Sequence, residues 1–170
     1  MAHTDQKDFC VRMKQRYPQL FANRQVLDVG SRDINGNNRF LFDTGSYIGL
    51  DVNPGANVDL VGKIHTLDQP DGSYDFIVST EMLEHDFYWE QSIKAMVRLL
   101  RKNGALLMTC GGENRGVHGL NNFTCPEAPN HYRNIGMTEF LLATEEKMKH
   151  LVVEYNPYKC DLYYFGIRRG

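Results

Sequence analysis

No stretch of the chain approaches the roughly 18 apolar residues that a membrane span requires, and the opening MAHTDQKDFC lacks the basic-then-apolar order of a signal peptide. A cytoplasmic protein without a membrane partner is expected. Blocks of Lys and Arg are missing too: 19 basic against 21 acidic residues leave a formal charge of −2 and a pI near 6.3. Nonspecific nucleic-acid binding, which draws on many phosphate contacts, is therefore disfavoured, and a small or neutral partner is favoured. Cysteine is scarce. Cys10, Cys110, Cys125 and Cys160 never fall at C-x-x-C spacing and read as reduced thiols. A tetrahedral zinc set of Cys110, His118, Cys125 and His131 is conceivable on residue type. Its gaps of seven, six and five residues replace the two close pairs of a structural zinc site, so no metal is expected. What remains is an ordinary globular composition. With 42% apolar residues over 170 positions, one domain spanning 1–170 can bury roughly 70% of the unfolded surface, which excludes disorder as the main state.

Within that domain, Arg12, Met13, Arg16 and Tyr17 after Asp5 predict a leading helix in segment 1–22, stopped at Pro18 and packed outside the core. Short apolar runs at Gln25–Gly30, Ser46–Val52, Val58–Gly62, Tyr74–Ser79 and Ala105–Cys110 read as strands buried on both faces, hence parallel. Phe40–Phe42 predicts only a brief helix. Trp89, Ile93, Met96, Val97 and Leu100 recur at helical spacing, with Arg101, Lys102, Asn103 and Gly104 as the basic last turn and glycine stop. Met137–Met148 predicts a second such helix, N-capped by Thr138. Two closing runs around Asn156-Pro157 predict an antiparallel hairpin at the sheet edge. The fold class is thus α/β, a mostly parallel sheet with a C-terminal hairpin and helices on both faces. Residues 111–136 form a loop rich in Gly, Asn, Pro and His that leaves the C-terminal end of a central strand, where open α/β sheets bind ligands.

The chemistry follows from spacing. Asp28 and Gly30 end the first strand, Gly36 follows, and Asp51 comes about 20 residues after the glycine turn, at the end of the second strand. An acid there accepts both hydroxyls of a ribose, so an adenosine-type ligand is expected. The segments VLDVGSRDINGNNR, YIGLDVNPG, YDFIVSTEMLEH and ALLMTC, in that order, resemble the class I S-adenosylmethionine-dependent methyltransferases from about Val26 to Arg169, in a branch written G-S-R-D-x-N-G. Arg32 and Ile34 stand where the family carries its next two glycines. The resemblance implies a Rossmann-like fold, S-adenosylmethionine as cofactor and methyl transfer as activity. It assigns Asp28, Gly30, Ser31, Arg32 and Gly36 to the glycine-motif contacts, with Arg32 on the methionine carboxylate. It also assigns Asp51 to the ribose and Val52 to the adenine. Relatives often carry an Asp at the position of Lys63, so Ile64 and His65 become the adenine contacts. Ser79, Thr80 and Glu81 line the methionine end, and Glu84 and His85 open the next helix, where an acid also simply stabilises the helix dipole.

A base is needed only for a weakly acidic acceptor, and His85, His118 and His131 are the candidates, since histidine titrates near neutrality. Arg115, His118, His131, Tyr132 and Arg133 are the candidate acceptor-binding residues. No N/D-P-P-Y/F signature is present, which disfavours DNA as acceptor. A small-molecule or sugar-linked acceptor is the first reading. An RNA end remains open through Lys147, Lys149, Arg168 and Arg169, as does a non-catalytic partner subunit on the same fold.

Overall fold

Alternation inside the apolar runs decides which side of the sheet each residue covers. In the computed structural model, which describes residues 3–43, 46–120 and 128–170, seven strands form one sheet. They are β1 (Val26–Val29), β2 (Tyr47–Asp51), β3 (Leu60–Val61), β4 (Tyr74–Thr80), β5 (Leu100–Gly111), β6 (Met148–Asn156) and β7 (Asp161–Arg168). Their order is β3-β2-β1-β4-β5-β7-β6. The first five are mutually parallel, and β7 runs antiparallel to both of its neighbours. The expected hairpin is therefore present, with β6 as the outer strand and β7 inside the sheet.

Three α-helices flank it: α1 (Thr4–Arg16), α2 (Trp89–Leu99) and α3 (Met137–Thr144). Leu106, Met108 and Cys110 of β5 pack with Ile93 and Met96 of α2 and Phe140 of α3, while Ala105 and Leu107 point the other way, toward α1. A period of two within a continuous apolar run is what burial on both faces demands. The α1 face is aromatic: Phe21 lies 4.7 Å from Phe76 between ring centroids, Phe9 5.1 Å from Tyr163, and Tyr17 5.2 Å from Phe165. Pairs of this kind add about 0.5–1.5 kcal/mol each beyond area burial.

Four local expectations are corrected. The leading helix does not pack outside the core: Phe9, Cys10 and Met13, at a spacing of three to four, are buried to 2% exposure or less in the second apolar cluster. Helix α2 ends at Leu99, and Leu100–Gly104 already belong to β5, because Asn103 takes a left-handed conformation (φ 65°) that turns the chain within the strand instead of closing a helix. The cap of α3 is Gly136, not Thr138: Glu139 Oε1 accepts the Gly136 N–H at 2.7 Å, and Met148 begins β6. Glu84 and His85 form a separate 3-10 turn, Leu83–His85, ahead of α2, so Glu84 stabilises no α-helix dipole. Among the described residues no helix is long and apolar enough to cross a membrane.

Candidate active site

The strand order reverses between β1 and β4, and a crevice opens there beyond the carboxyl ends of the parallel strands, as in other open α/β sheets. Gly30 leaves β1 with φ +79°, and a Cβ on it would sit 2.6 Å from Cβ and Cγ of Met82. Glycine is required on both counts. Asp51 ends β2, and Glu81 follows β4 with φ +54°, a strained backbone for a side-chain-bearing residue of the kind that collects at functional sites. Around these three ends lies a cleft of about 680 Å³ counted with its open mouth.

One end of the cleft is a slot between Val52, Ile64, His65 and Tyr88. The rings of His65 and Tyr88 stand 4.5 Å apart, and the Lys63 ammonium lies over Tyr88, 5.5 Å from its centroid. At the slot's mouth, Asp51 Oδ2 accepts the Arg32 N–H at 3.2 Å and Oδ1 accepts that of Asn53 at 2.9 Å, so the carboxylate is held by the backbone and each oxygen keeps a lone pair. Asp86, also on the lining, accepts from the Tyr88 N–H at 2.8 Å and from the Ser92 hydroxyl. At the other end stand Glu81, Met82 and His85.

Of the expected cofactor residues, the fold brings Gly30, Asp51, Val52, Ile64, His65 and Glu81 together on this wall. It does not bring Asp28, Ser31, Arg32, Gly36, Ser79 or Thr80 there. Asp28 shares the parity of Val26, so it faces α1, where it accepts hydrogen bonds from Tyr47 Oη (2.5 Å), Asn38 Nδ2 (3.3 Å) and Asn57 Nδ2 (3.4 Å). Burial pushes its pKa up to about 6. Thr80 lies on the same side and accepts from the same Asn38 amide at 3.1 Å. Ser31 packs toward Gly49, the Arg32 side chain runs along Gly55, and Ser79 is fully buried in the sheet. Gly36, at φ +104°, donates its N–H to Asp33 Oδ1 at 2.8 Å and closes the turn that stands in for a longer glycine loop. Met82, Asp86, Tyr88 and Ser92 escaped the sequence reading. The acid and hydroxyl six residues apart, Asp86 and Ser92, were the available sign of a braced turn.

Beside the cleft, segments 111–120 and 128–136 lie against Glu84, whose carbonyl accepts the Arg133 N–H at 2.8 Å. The rings of His85, His118 and Tyr132 form a three-way edge-to-face group with centroids 5.1–5.3 Å apart, and His131 meets Phe87 at 5.3 Å. His85 is buried, which pushes its pKa down to about 4 and keeps it neutral. Burial raises the Tyr132 phenol as well, and burial followed by the Glu84 and Asp161 charges holds the Glu81 carboxyl well above its ordinary range. The two arginines are committed to the protein. Arg115 donates to Lys159 O at 2.7 Å and stands 3.6 Å from Asp161, while Arg133 pairs with Glu139 at 2.6 Å and covers the Trp89 ring. Of the weighed zinc set, Cys125 lies outside the described residues, and Cys110 is buried with its thiol held protonated.

Residues 27–108 match the model of a methyltransferase domain. No curated protein matches the sequence. Among solved structures, the chain is similar to the Burkholderia thailandensis 1,6-didemethyltoxoflavin-N1-methyltransferase, solved with 1,6-didemethyltoxoflavin and S-adenosylhomocysteine bound, at 12% identity over 97% of this chain and 78% of that one, with a TM-score of 0.69. It is also similar to a protein of Pyrococcus horikoshii OT3 (14% identity, 97% and 90% covered, TM-score 0.70). An S-adenosylmethionine-dependent methyltransferase from Mesorhizobium loti matches at 13% identity over 88% and 93% of the two chains, with a TM-score of 0.59. These likenesses establish the Rossmann-like methyltransferase fold.

Proposed function

We propose that this chain, whose residues 27–108 match the model of a methyltransferase domain, moves a methyl group from S-adenosylmethionine to a small-molecule or sugar-linked acceptor. The observation that carries the reading is the cleft at the sheet's reversal point, with a backbone-held carboxylate, Asp51, at the mouth of a slot walled by Val52, Ile64, His65 and Tyr88. The donor set fits the cofactor. Asp51 keeps lone pairs for two ribose hydroxyls, the slot suits a flat heterocycle, and the Glu81 carboxyl at the other end suits an ammonium. Gly30, with no room for a Cβ, lets the backbone approach closely.

When bound, the cofactor supplies a sulfonium methyl that is already activated. What the chain must contribute is alignment, which is worth roughly 7–11 kcal/mol for well-oriented reactants. His85 bridges the two halves of the site: it lines the cleft and touches the rings of His118 and Tyr132 from the acceptor loop. The burial that keeps its imidazole neutral also makes it a weak base, so it is better suited to orient an acceptor than to deprotonate a hydroxyl. The small-acceptor reading is supported by the engagement of Arg115 and Arg133 with internal partners. It is supported also by the heterocycle bound to the Burkholderia protein.

Calorimetric titration with S-adenosylmethionine and, separately, S-adenosylhomocysteine tests the proposal. Micromolar binding of both is expected. Binding of NADH without either would overturn it.

A further inference from the structure

Beneath the loop beside the cleft, a carboxylate and an imidazole nitrogen face one another across 4.0 Å. Glu84 is fully buried, and neither of its carboxylate oxygens has a hydrogen-bond partner among the described residues. Its Oε1 looks at Nε2 of His118 across 4.0 Å. Nδ1 of the same ring lies 3.0 Å from Gly116 O, a group that only accepts, so Nδ1 bears a hydrogen and Nε2 is the ring nitrogen turned toward Glu84. An imidazole pinned through its other nitrogen by a carbonyl is the arrangement that orients histidines toward metal ions. A third donor completes the group: one ligand atom each from Glu84, His85 and His118 lies within 4.8 Å of the others.

We propose that Glu84, His85 and His118 form a binding site for a divalent transition-metal ion. One carboxylate oxygen and two imidazole nitrogens are the donor set that zinc, cobalt, manganese and iron accept, with positions left open for further ligands. Bond lengths near 2.0–2.2 Å put two tetrahedral donors about 3.4 Å apart, so the 4.0 Å gap closes with a contraction of roughly half an ångström. The surroundings favour a cation. Glu81 and Asp161 add further carboxyls, whereas Arg115 and His3 are engaged with Asp161. An isolated buried carboxylate is costly unless it is paired, protonated or bound to a metal. Entry is available, since the His118 side chain is 34% exposed. The ion would lie between the cleft, which His85 also lines, and the acceptor loop, next to the buried and unpaired Tyr132 hydroxyl. Its value to catalysis rests on the methyl-transfer reading; its binding does not.

The test is titration of the full chain, stripped with chelator, with Co²⁺ and Zn²⁺ alone, followed by visible absorption and calorimetry. One equivalent is expected, with cobalt d–d bands characteristic of four or five coordination. His118→Ala and Glu84→Gln are each expected to weaken binding at least tenfold, and His150→Ala, far from the site, to leave it unchanged. His118 sits on a partly exposed loop, so its variant serves even where Glu84→Gln fails to fold. Absence of stoichiometric binding would mean that a proton fills the gap and would overturn the proposal, as would binding that survives both substitutions. S-adenosylmethionine binding measured on the same metal-free protein separates the two readings: cofactor binding without metal sinks only this inference, and metal binding without cofactor sinks only the proposed function.

Discussion

Asp28 and Glu84 are both buried carboxylates near the carboxyl ends of neighbouring strands, at 1% and 0% exposure, yet their surroundings are opposite. Asp28 faces α1 and gathers hydrogen bonds from Tyr47, Asn38 and Asn57; Glu84 lies under the acceptor loop, and neither oxygen has a hydrogen-bond partner among the described residues. The first acid ties together β1, β2 and the loops on either side of β2. The second has its pKa raised to about 7 by burial, so it is the less firmly held of the two and the one placed to bind a ligand. Sequence rules treat the two alike, as acids at strand ends; their surroundings divide them into a brace and a binding group.

The comparison is broken or sharpened by substitution. Asp28→Ala strands three donors and is expected to lower stability by about 3 kcal/mol, a fall of about 6–12 °C in Tm at this chain length; scanning calorimetry that finds less than about 2 °C would remove Asp28 as a brace. The pH dependence comes next. The Asp28 pKa rises on folding from 3.8 to about 6, so the native state holds the proton more tightly. The stability this contributes is full below about pH 4 and is lost as pH climbs through 6, about 2–3 kcal/mol in all. Urea unfolding of the wild type against Asp28→Asn at pH 4 and pH 7 reads it, and a pH-independent difference would contradict the assignment. Asp51→Ala should weaken S-adenosylmethionine binding at least tenfold in calorimetry while leaving the Tm of the unliganded protein nearly unchanged, whereas an unaltered affinity would move the ribose elsewhere. The smallest effect is expected at Glu84: Glu84→Gln in metal-free protein at about pH 6 should change unfolding free energy by less than about 1 kcal/mol, since burial already raises the pKa of this carboxyl to about 7 and favours its neutral form. A loss as large as that at Asp28 would erase the contrast.

Much of the fold was legible because its strands are continuous apolar runs between turn residues, as in ALLMTC, where no competing element fits. The end of α2 was not, because Lys102, Asn103 and Gly104 spell a helix stop, and only the pairing of β5 with β4 shows them already in a strand. The burial of α1 was available in the spacing of Phe9, Cys10 and Met13 but was outweighed by the many charges around them. At the site, Asp51 and Gly30 were readable from local spacing. The face taken by Asp28 follows from its alternation with Val29. The meeting of Glu84 with His118 was beyond reach, since 34 residues and an irregular loop separate the pair. Contacts of that kind are set by tertiary packing, and no local pattern announces them.

The interior position of β7 has a consequence for how the molecule is made. β7, which follows the other six strands in the chain, sits between β5 and β6, and α1, which precedes them all, rests on it through Phe9 on Tyr163, Tyr17 on Phe165 and His3 on Asp161. During vectorial synthesis the nascent chain therefore carries an amphipathic helix with an incomplete seat and a five-stranded sheet with a raw hydrophobic margin at β5. Cooperative closure waits on Asp161–Arg168. A ribosome stalled before that codon run would hold a protease-sensitive intermediate, and release of the final strand would be the step that makes the protein resistant.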